Sequence, residues 1–379
     1  MEARAKSAGK TPALNPRLAL FFLAAGAILL AGVGAFALLR PESRGAAGPA
    51  PTRAAYIEFG PVSDTLWLAP PDNPSGRKKT FVAQHATSYG IVAALSPDGQ
   101  SLAYGSLAPD TTTPSPDSPA DLYLASLKKG QPRRLNQGID LLVRPLWTPD
   151  SRSVIVRRTD AKEQATFRLL AIDVSSGQER PLVSSSAALF PAGFSPGDGA
   201  FYFVEVMPGA SELRMLAPDG STIKSAGHLS DDLTRDWTLS PDGARLAFLA
   251  LSVAGERVTS RAMVLDLASG RVMPAAEPEG DQFGPAWSPR GALSIGEVAA
   301  DAATPAPART NGQPTLPGPE MGFDVPAGWS PDGRYLAVRT FQGNSAATPG
   351  SSALAVVGPN GFRTTLASQE VTFLGWVSH

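Results

Sequence analysis

The chain has no cysteine and only three histidines, His85, His228 and His379, in 379 residues. The first absence excludes disulfides and thiolate metal sites, and the second leaves too few imidazoles for most histidine-rich metal centres. A dominant charge is also missing, since 33 Lys and Arg stand against 34 Asp and Glu. Residues 1–53 hold 7 basic and 2 acidic side chains, leaving 26 and 32 for the remainder. That acidic balance argues against nucleic acid as a partner. What the chain has in plenty is turn formers: 37 Gly and 36 Pro point to an all-β protein rather than a helical one.

Long apolar runs are missing with one exception. Residues 18–39, LALFFLAAGAILLAGVGAFALL, carry no charge over 22 positions, and roughly 20 apolar residues suffice for a helix to cross a bilayer. Arg4, Lys6, Lys10 and Arg17 against Glu2 favour a cytoplasmic tail at 1–17, although Arg40, Arg44 and Arg53 beyond the run weaken that bias. The run exceeds the roughly 7–15 apolar residues of a secretory leader, so an uncleaved signal anchor is expected in preference to cleavage at Ala35–Ala37. Residues 40–53, RPESRGAAGPAPTR, have the Pro, Gly and Ala content of a tether. The soluble domain is expected over 54–379, on the extracytoplasmic side of the membrane.

That domain repeats itself. LSPDG at Leu95, WTPDS at Trp147, FSPGDG at Phe194, LSPDG at Leu239, WSPRG at Trp287 and WSPDG at Trp329 are followed by FLGW ending at Trp376, with lead residues 52, 47, 45, 48, 42 and 47 apart. Such intervals belong to a stacked or radial repeat. Each copy reads as a hairpin turn: Ser or Thr opens it, Pro presets φ, Asp tolerates the bridge region and Gly closes it with positive φ. SLAY, RLAF and YLAV then alternate like strands with one buried face. A second mark, a Gly between further strand-like runs, falls at Gly76, Gly130, Gly177, Gly220, Gly270, Gly312 and Gly361. Each unit therefore supplies four short antiparallel strands.

The first unit lacks an inner strand, and the C-terminus supplies an isolated TFLGW with nothing after it. Together they complete one unit and close a ring without open edges. The repeated SPDG…LAF/Y units resemble the WD-like repeats of TolB-type β-propellers over about residues 56–379. The fold expected is all-β, a seven-bladed β-propeller with one N-terminal transmembrane helix. TolB-type propellers are often six-bladed, and the proline-laden stretch TPAPARTNGQPTLPG in the unit from Trp287 to Met321 makes poor strands. A six-bladed ring with an irregular insertion is therefore the alternative.

Candidate chemistry is sparse. GFSPG at Gly193–Gly197 matches the nucleophile-elbow string, but Ser195 holds the repeat's turn-opening position and FYFVEV after it reads as a strand, so a turn serine is expected. Propeller-bearing prolyl oligopeptidases also need an α/β-hydrolase domain, for which no segment is evident. The connections into each inner strand gather at the channel mouth and hold Asp140, Asp231, Asp232, Asp236, Glu277, Glu279, Asp281, Glu320, Asp324 and Glu370. His85 and His228, with Tyr89 and Arg235, fall in the same class of loops. Convergent carboxylates would suit a divalent cation or a basic segment of another protein, although acidic loops are also simply soluble ones. No cofactor or metal is assigned.

Five tryptophans, at 147, 237, 287, 329 and 376, are expected to pack between blades. RKK at 77–79 and KKGQPRRL at 128–135 are read as charges that guard outer strand edges, with anionic lipid contact as the other reading. The stretch 105–121 is expected to be a mobile loop. The function expected is a non-catalytic scaffold, its channel-mouth loops presented to an envelope protein or peptide. The alternatives are a lyase or hydrolase using channel carboxylates with His85 or His228, and a sensor of a small ligand or cation.

Overall fold

The computed structural model describes residues 52–378 except 112, 114, 116, 117, 129, 130, 161–164, 255, 256, 278, 279, 299–303, 316, 346 and 369. The span expected at 18–39 lies outside the described residues, as do His379, Gly130 and Glu279. Among the described residues no helix is long and apolar enough to cross a membrane.

The described residues open with three strands of blade 1, β1 (Thr52–Glu58), β2 (Ser63–Ala69) and β3 (Lys78–Gln84). Thr52 and Arg53, expected in the tether, are thus strand residues. Blade 2 comprises β4 (Val92–Leu95), β5 (Ser101–Ser106), β6 (Pro119–Ser126) and β7 (Arg133–Asp140). Blade 3 comprises β8 (Leu146–Trp147), β9 (Ser153–Asp160), β10 (Thr166–Asp173) and β11 (Glu179–Ser185). Blade 4 has β12 (Ala188–Phe194), β13 (Phe201–Met207), β14 (Ala210–Leu216) and β15 (Ile223–Ser230). Blade 5 has β16 (Leu233–Leu239), β17 (Arg245–Ala254), β18 (Arg257–Asp266) and β19 (Val272–Pro274). Blade 6 has β20 (Asp281–Trp287), β21 (Leu293–Val298), β22 (Arg309–Thr310) and β23 (Gln313–Pro314), and blade 7 has β24 (Phe323–Trp329), β25 (Leu336–Phe341), β26 (Ser352–Gly358) and β27 (Phe362–Ala367).

The last strand, β28 (Val371–Ser378), returns to blade 1, whose strand order is β28-β1-β2-β3. Its register runs from Thr52↔Ser378 to Glu58↔Val371. Seven four-stranded sheets result, so the ring is the seven-bladed propeller and not the six-bladed alternative. The proline-laden unit is a true blade whose outer strands β22 and β23 shrink to two residues each. Proline lacks the donor that a longer ladder needs.

The SPDG copies turn each inner hairpin. At the last of them, Ser330 N donates to the Tyr335 carbonyl (2.8 Å), Gly333 N donates to the Ser330 carbonyl (2.8 Å), and Tyr335 N donates to Ser330 Oγ (2.9 Å). Ser330 Oγ in turn donates to Asp332 Oδ1 (2.6 Å), and Gly333 takes φ +70°. Asp332 therefore does more than tolerate the turn, because its carboxylate closes it. In WTPDS the closing position falls to Ser151, at φ +59°.

No single core exists. Buried apolar clusters lie between successive blades: Ile57, Leu102 and Leu374 join blades 1 and 2, while Ile155, Leu169 and Phe203 join blades 3 and 4. Beside thin blade 6 the packing rests on Phe283, Phe323 and Phe341, with centroids 5.6 and 5.1 Å apart. The lead tryptophans add hydrogen bonds as well as the expected packing. Trp147 Nε1 donates to the Ala94 carbonyl (2.9 Å), Trp287 Nε1 to Thr238 (3.1 Å) and Trp376 Nε1 to Gly328 (3.1 Å). Each acceptor directly precedes the lead residue of the preceding blade. Trp329 Nε1 donates instead to Ser294 Oγ of β21 (2.9 Å).

Replacing Trp147 or Trp376 by Phe should keep most of the ring contact but leave a partly buried carbonyl without its indole donor. The expected loss is about 1–3 kcal/mol, read from urea unfolding midpoints, and unchanged midpoints would contradict the role given to Nε1.

Turn carboxylates predict acid sensitivity. Hydrogen bonds from Ser175 and Ser176 hold Asp173 far below the ordinary carboxylate range, and those from Ser195, Ser221, Ser240 and Ser269 lower Asp198, Asp219, Asp242 and Asp266. A carboxyl lowered on folding adds stability above its unfolded pKa, near 4, and loses it as pH falls through the folded value. Thermal midpoints should therefore drop as pH goes below about 4, and the drop should shrink in D173N/D266N.

Candidate functional site

Two kinds of loop occupy the two faces of the ring. The SPDG turns and the outer hairpin turns share one face, here the turn face. The links between blades and the loops joining each second strand to its third lie on the other, the connector face. The expected acids and histidines fall mostly on the connector face, but they do not converge.

His85, after β3, is buried with Asp64 of β2. Its Nε2 lies 3.0 Å from Asp64 Oδ1 and its Nδ1 lies 2.8 Å from the Ala86 carbonyl. Asp64 also accepts from Gly60 N (3.1 Å) and Ile91 N (2.7 Å). The pair thus fastens the link from blade 1 to blade 2 instead of facing a substrate.

Asp140, Asp324 and Asp281 are similarly engaged. Asp140 accepts from Arg157 Nε (2.5 Å) and Thr159 Oγ1 (2.6 Å), and Arg157 reaches on to the Leu189 carbonyl of blade 4 (3.3 Å). Asp324 is buried, accepting two bonds from Arg363 (2.9 Å each) and one from Thr340 (2.7 Å). Asp281 accepts from Ser260 N (3.2 Å), and the neighbouring Gln282 accepts from Ala262 N (2.9 Å). Tyr89 packs against the cluster between blades 2 and 3, whereas Glu277, Glu320 and Glu370 are exposed. Among the described residues no group of three or more His, Asp or Glu is arranged to hold a metal ion.

One sector differs, where blade 4 passes into blade 5. His228 of β15 is half-exposed between two carboxylates, Nδ1 2.7 Å from Glu212 Oε1 and Nε2 3.3 Å from Asp231 Oδ1. Asp231 itself is 93% exposed, and Asp232 is exposed beside it. Five residues further, on the innermost strand, Asp236 takes φ +54° at a register shift between Arg235 and Thr238. Gly284 holds the same place in blade 6 with φ +53°, where a Cβ would lie 2.5 Å from Val325 Cγ1. Asp236 is thus a strained non-glycine in a glycine position. Its Oδ2 is buried without a hydrogen-bond partner, as is Arg235 Nε, 3.7 Å away. Burial raises the Asp236 carboxyl, and Arg235 only partly opposes it.

Arg144 escaped the sequence reading. It lies just before β8, three residues ahead of Trp147, as Asp236 lies three ahead of Leu239. Its Nε donates to the Ala93 carbonyl of blade 2 (2.8 Å) and its terminal nitrogen to the Phe373 carbonyl of blade 1 (3.3 Å). One side chain therefore ties three inner strands, and burial draws its pKa down to about 10. The signal was available: in the seven units this position reads Val92, Arg144, Pro191, Asp236, Gly284, Pro326 and Phe373, with only two charged. Ser195 sits in the hairpin turn between strands β12 and β13, and Gly199 N donates to its carbonyl (3.0 Å). No helix follows it, so the elbow reading fails on context.

A charged Asp236 should weaken the fold, and Asn should relieve this. Because folding raises its pKa, stability is fullest below the unfolded value near 4 and is lost as pH rises through the folded value. D236N should exceed the parent in thermal midpoint at neutral pH, with the gap closing in acid. A gap independent of pH would contradict the assignment.

No protein-family model matches the chain, and no curated protein sequence matches it. Solved structures do resemble it in fold. TolB from Acinetobacter baumannii is 18% identical with a TM-score of 0.52, over 86% of this chain and 68% of that one. Prolyl oligopeptidase B from Galerina marginata is 11% identical with a TM-score of 0.56, over 94% of this chain but about half of its own (53%). An oligogalacturonate lyase from Vibrio parahaemolyticus is 11% identical with a TM-score of 0.51, over 81% and 91%. At these identities the likeness shows the propeller fold alone.

Proposed function

We propose that the protein is a membrane-anchored, extracytoplasmic binding ring without catalytic activity, which receives a basic polypeptide segment of an envelope protein on the connector face of blade 5. One observation carries this reading: exposed acid and exposed apolar surface adjoin there. β17 and β18 run past the inner strand β16, whose first residue Leu233 pairs with Leu251. The overhang carries the cross-strand pair Val253 and Val258, 58% and 44% exposed. Asp231 and Asp232 immediately precede Leu233. Apolar side chains beside exposed carboxylates match a segment that alternates basic and apolar residues.

The engagement of Asp140, Asp281 and Asp324 supports the non-catalytic reading. His85, in the link after β3, and His228, on β15, belong to different blades, each already held by a carboxylate. General acid–base work needs a group within hydrogen-bond reach of substrate; His85 is buried against Asp64, and among the described residues the expected acid that meets a histidine is Asp231, 3.3 Å from His228 Nε2 and on a different blade from His85. The anchor rests on the 22 uncharged residues at 18–39.

Crosslinking in intact cells, followed by affinity purification of the full-length protein, tests the surface. A defined envelope protein should be recovered through a basic peptide, and D231A/D232A and V253S/V258S should each reduce that recovery severalfold. Recovery unchanged in both variants would sink the blade 5 surface. Turnover of a substrate by the purified protein would overturn the non-catalytic reading.

A further inference from the structure

We infer that the turn face of blades 1 and 2 rests against an anionic lipid surface, with Lys78, Lys79, Lys128 and Arg133 as its contacts. The inference rests on the reading of residues 18–39 as an anchor and adds to it which face of the ring meets the bilayer.

The first observation is where the chain enters. Inner strands run from the connector face to the turn face, each ending at its lead residue just before an SPDG turn. β28 obeys the same direction and ends beyond Trp376, and Thr52 pairs with Ser378. The polypeptide arriving from residues 1–51 therefore joins blade 1 on the turn face. Twelve residues, 40–51, separate the apolar run from β1, a stretch that cannot exceed about 40 Å. The ring is held close to any membrane the run occupies, with this face nearest.

The second observation is charge. Lys78 and Lys79 open β3, Lys128 follows β6, and Arg133 opens β7; all four are exposed. These positions border the outer hairpin turns of the two blades beside the entry point. Lys128 Nζ meets only Gln100 Oε1 (3.3 Å), and Arg133 donates to the carbonyls of Val174 and Ser175. No carboxylate pairs with any of the four among the described residues. Arg134 adjoins them, 59% exposed although paired with Asp121 at 3.3 Å.

The outer hairpins of blades 3, 4 and 5 balance their bases with acids, Arg180 with Asp173 and Glu179, Lys224 with Asp219 and Arg271 with Asp266, whereas in blade 1 Asp72 stands against Arg77, Lys78 and Lys79. Protection of outer edges would call for charge on every blade, and either sign would serve. An excess of one sign on the two blades nearest the entry fits a negative surface instead. Phosphate head groups attract such clusters within about 10 Å at ordinary ionic strength.

The test reconstitutes the full chain into vesicles of phosphatidylcholine with or without phosphatidylglycerol and follows amide hydrogen exchange. Residues 78–84 and 131–135 should exchange more slowly on the anionic vesicles, the slowing disappearing at high salt and in K78E/K79E/K128E. The connector loop at 231–232 should be unaffected. Equal exchange on both lipids, or protection of the connector face instead, overturns the inference. Extraction with alkaline carbonate reads the anchor separately. A retained chain without protected hairpins keeps the anchor and refutes the docking face. A chain that is extracted, yet is protected on anionic vesicles at low salt, refutes the anchor alone.

Discussion

The pairing of β28 with β1 is the constraint on which the molecule depends. Each blade buries its apolar residues only against its two neighbours, so an open ring would leave two unpartnered blade faces and an unpaired inner edge. Seven residues from one end of the described chain align with the other end and remove both. Trp376 adds a donor to blade 7, and Tyr56 Oη donates to the Leu366 carbonyl (3.4 Å). Two strands of the closing blade are thus bonded back to blade 7. A fold whose last strand completes its first sheet also has a long loop to close before those contacts form.

Polar chemistry follows from the same arrangement. Where blades meet, backbone groups of the links are withdrawn from water and must find partners. Asp64, Asp140, Asp281 and Asp324 serve that need, together with Arg157, Arg363 and Ser260. Carboxylates used in this way are no longer offered to a ligand. Part of the acidity of the connector face is therefore internal wiring; Glu277, Glu320 and Glu370 stay exposed in separate links, and Asp231–Asp232 form an exposed pair beside an overhanging hairpin.

The repeat made the architecture legible, because turn chemistry is local: Ser, Pro, Asp and Gly at fixed offsets specify a hairpin without help from the rest of the chain. Blade number was legible for the same reason, even where Pro305, Pro307 and Pro314 shortened the outer strands of blade 6. The site was less so. A loop sequence shows that Asp324 is acidic, but not that Arg363, 39 residues on, will bind it. Likewise His85 and Asp64 meet across β2 and β3, a pairing set by register and not by any motif. The tryptophans were placed correctly between blades, yet their donor role needed the carbonyl of the preceding unit to be in view.

The positions that break the repeat carry the most specific information. Three residues ahead of each lead residue, the inner strands of five units hold Val, Pro, Gly or Phe, which fit a bulge in a crowded ring. Arg144 and Asp236 stand there instead, and they behave oppositely. Arg144 is bonded to two other blades, so it contributes to ring geometry. Asp236 holds a strained backbone, and one of its carboxylate oxygens lies buried without a partner. Strain and desolvation at one residue, with glycine available as the relaxed choice in blade 6, mean that stability does not explain the aspartate. It stands on the inner strand that Asp231–Asp232 lead into, which ties a strained residue to the sector where an exposed acidic pair adjoins the overhanging hairpin.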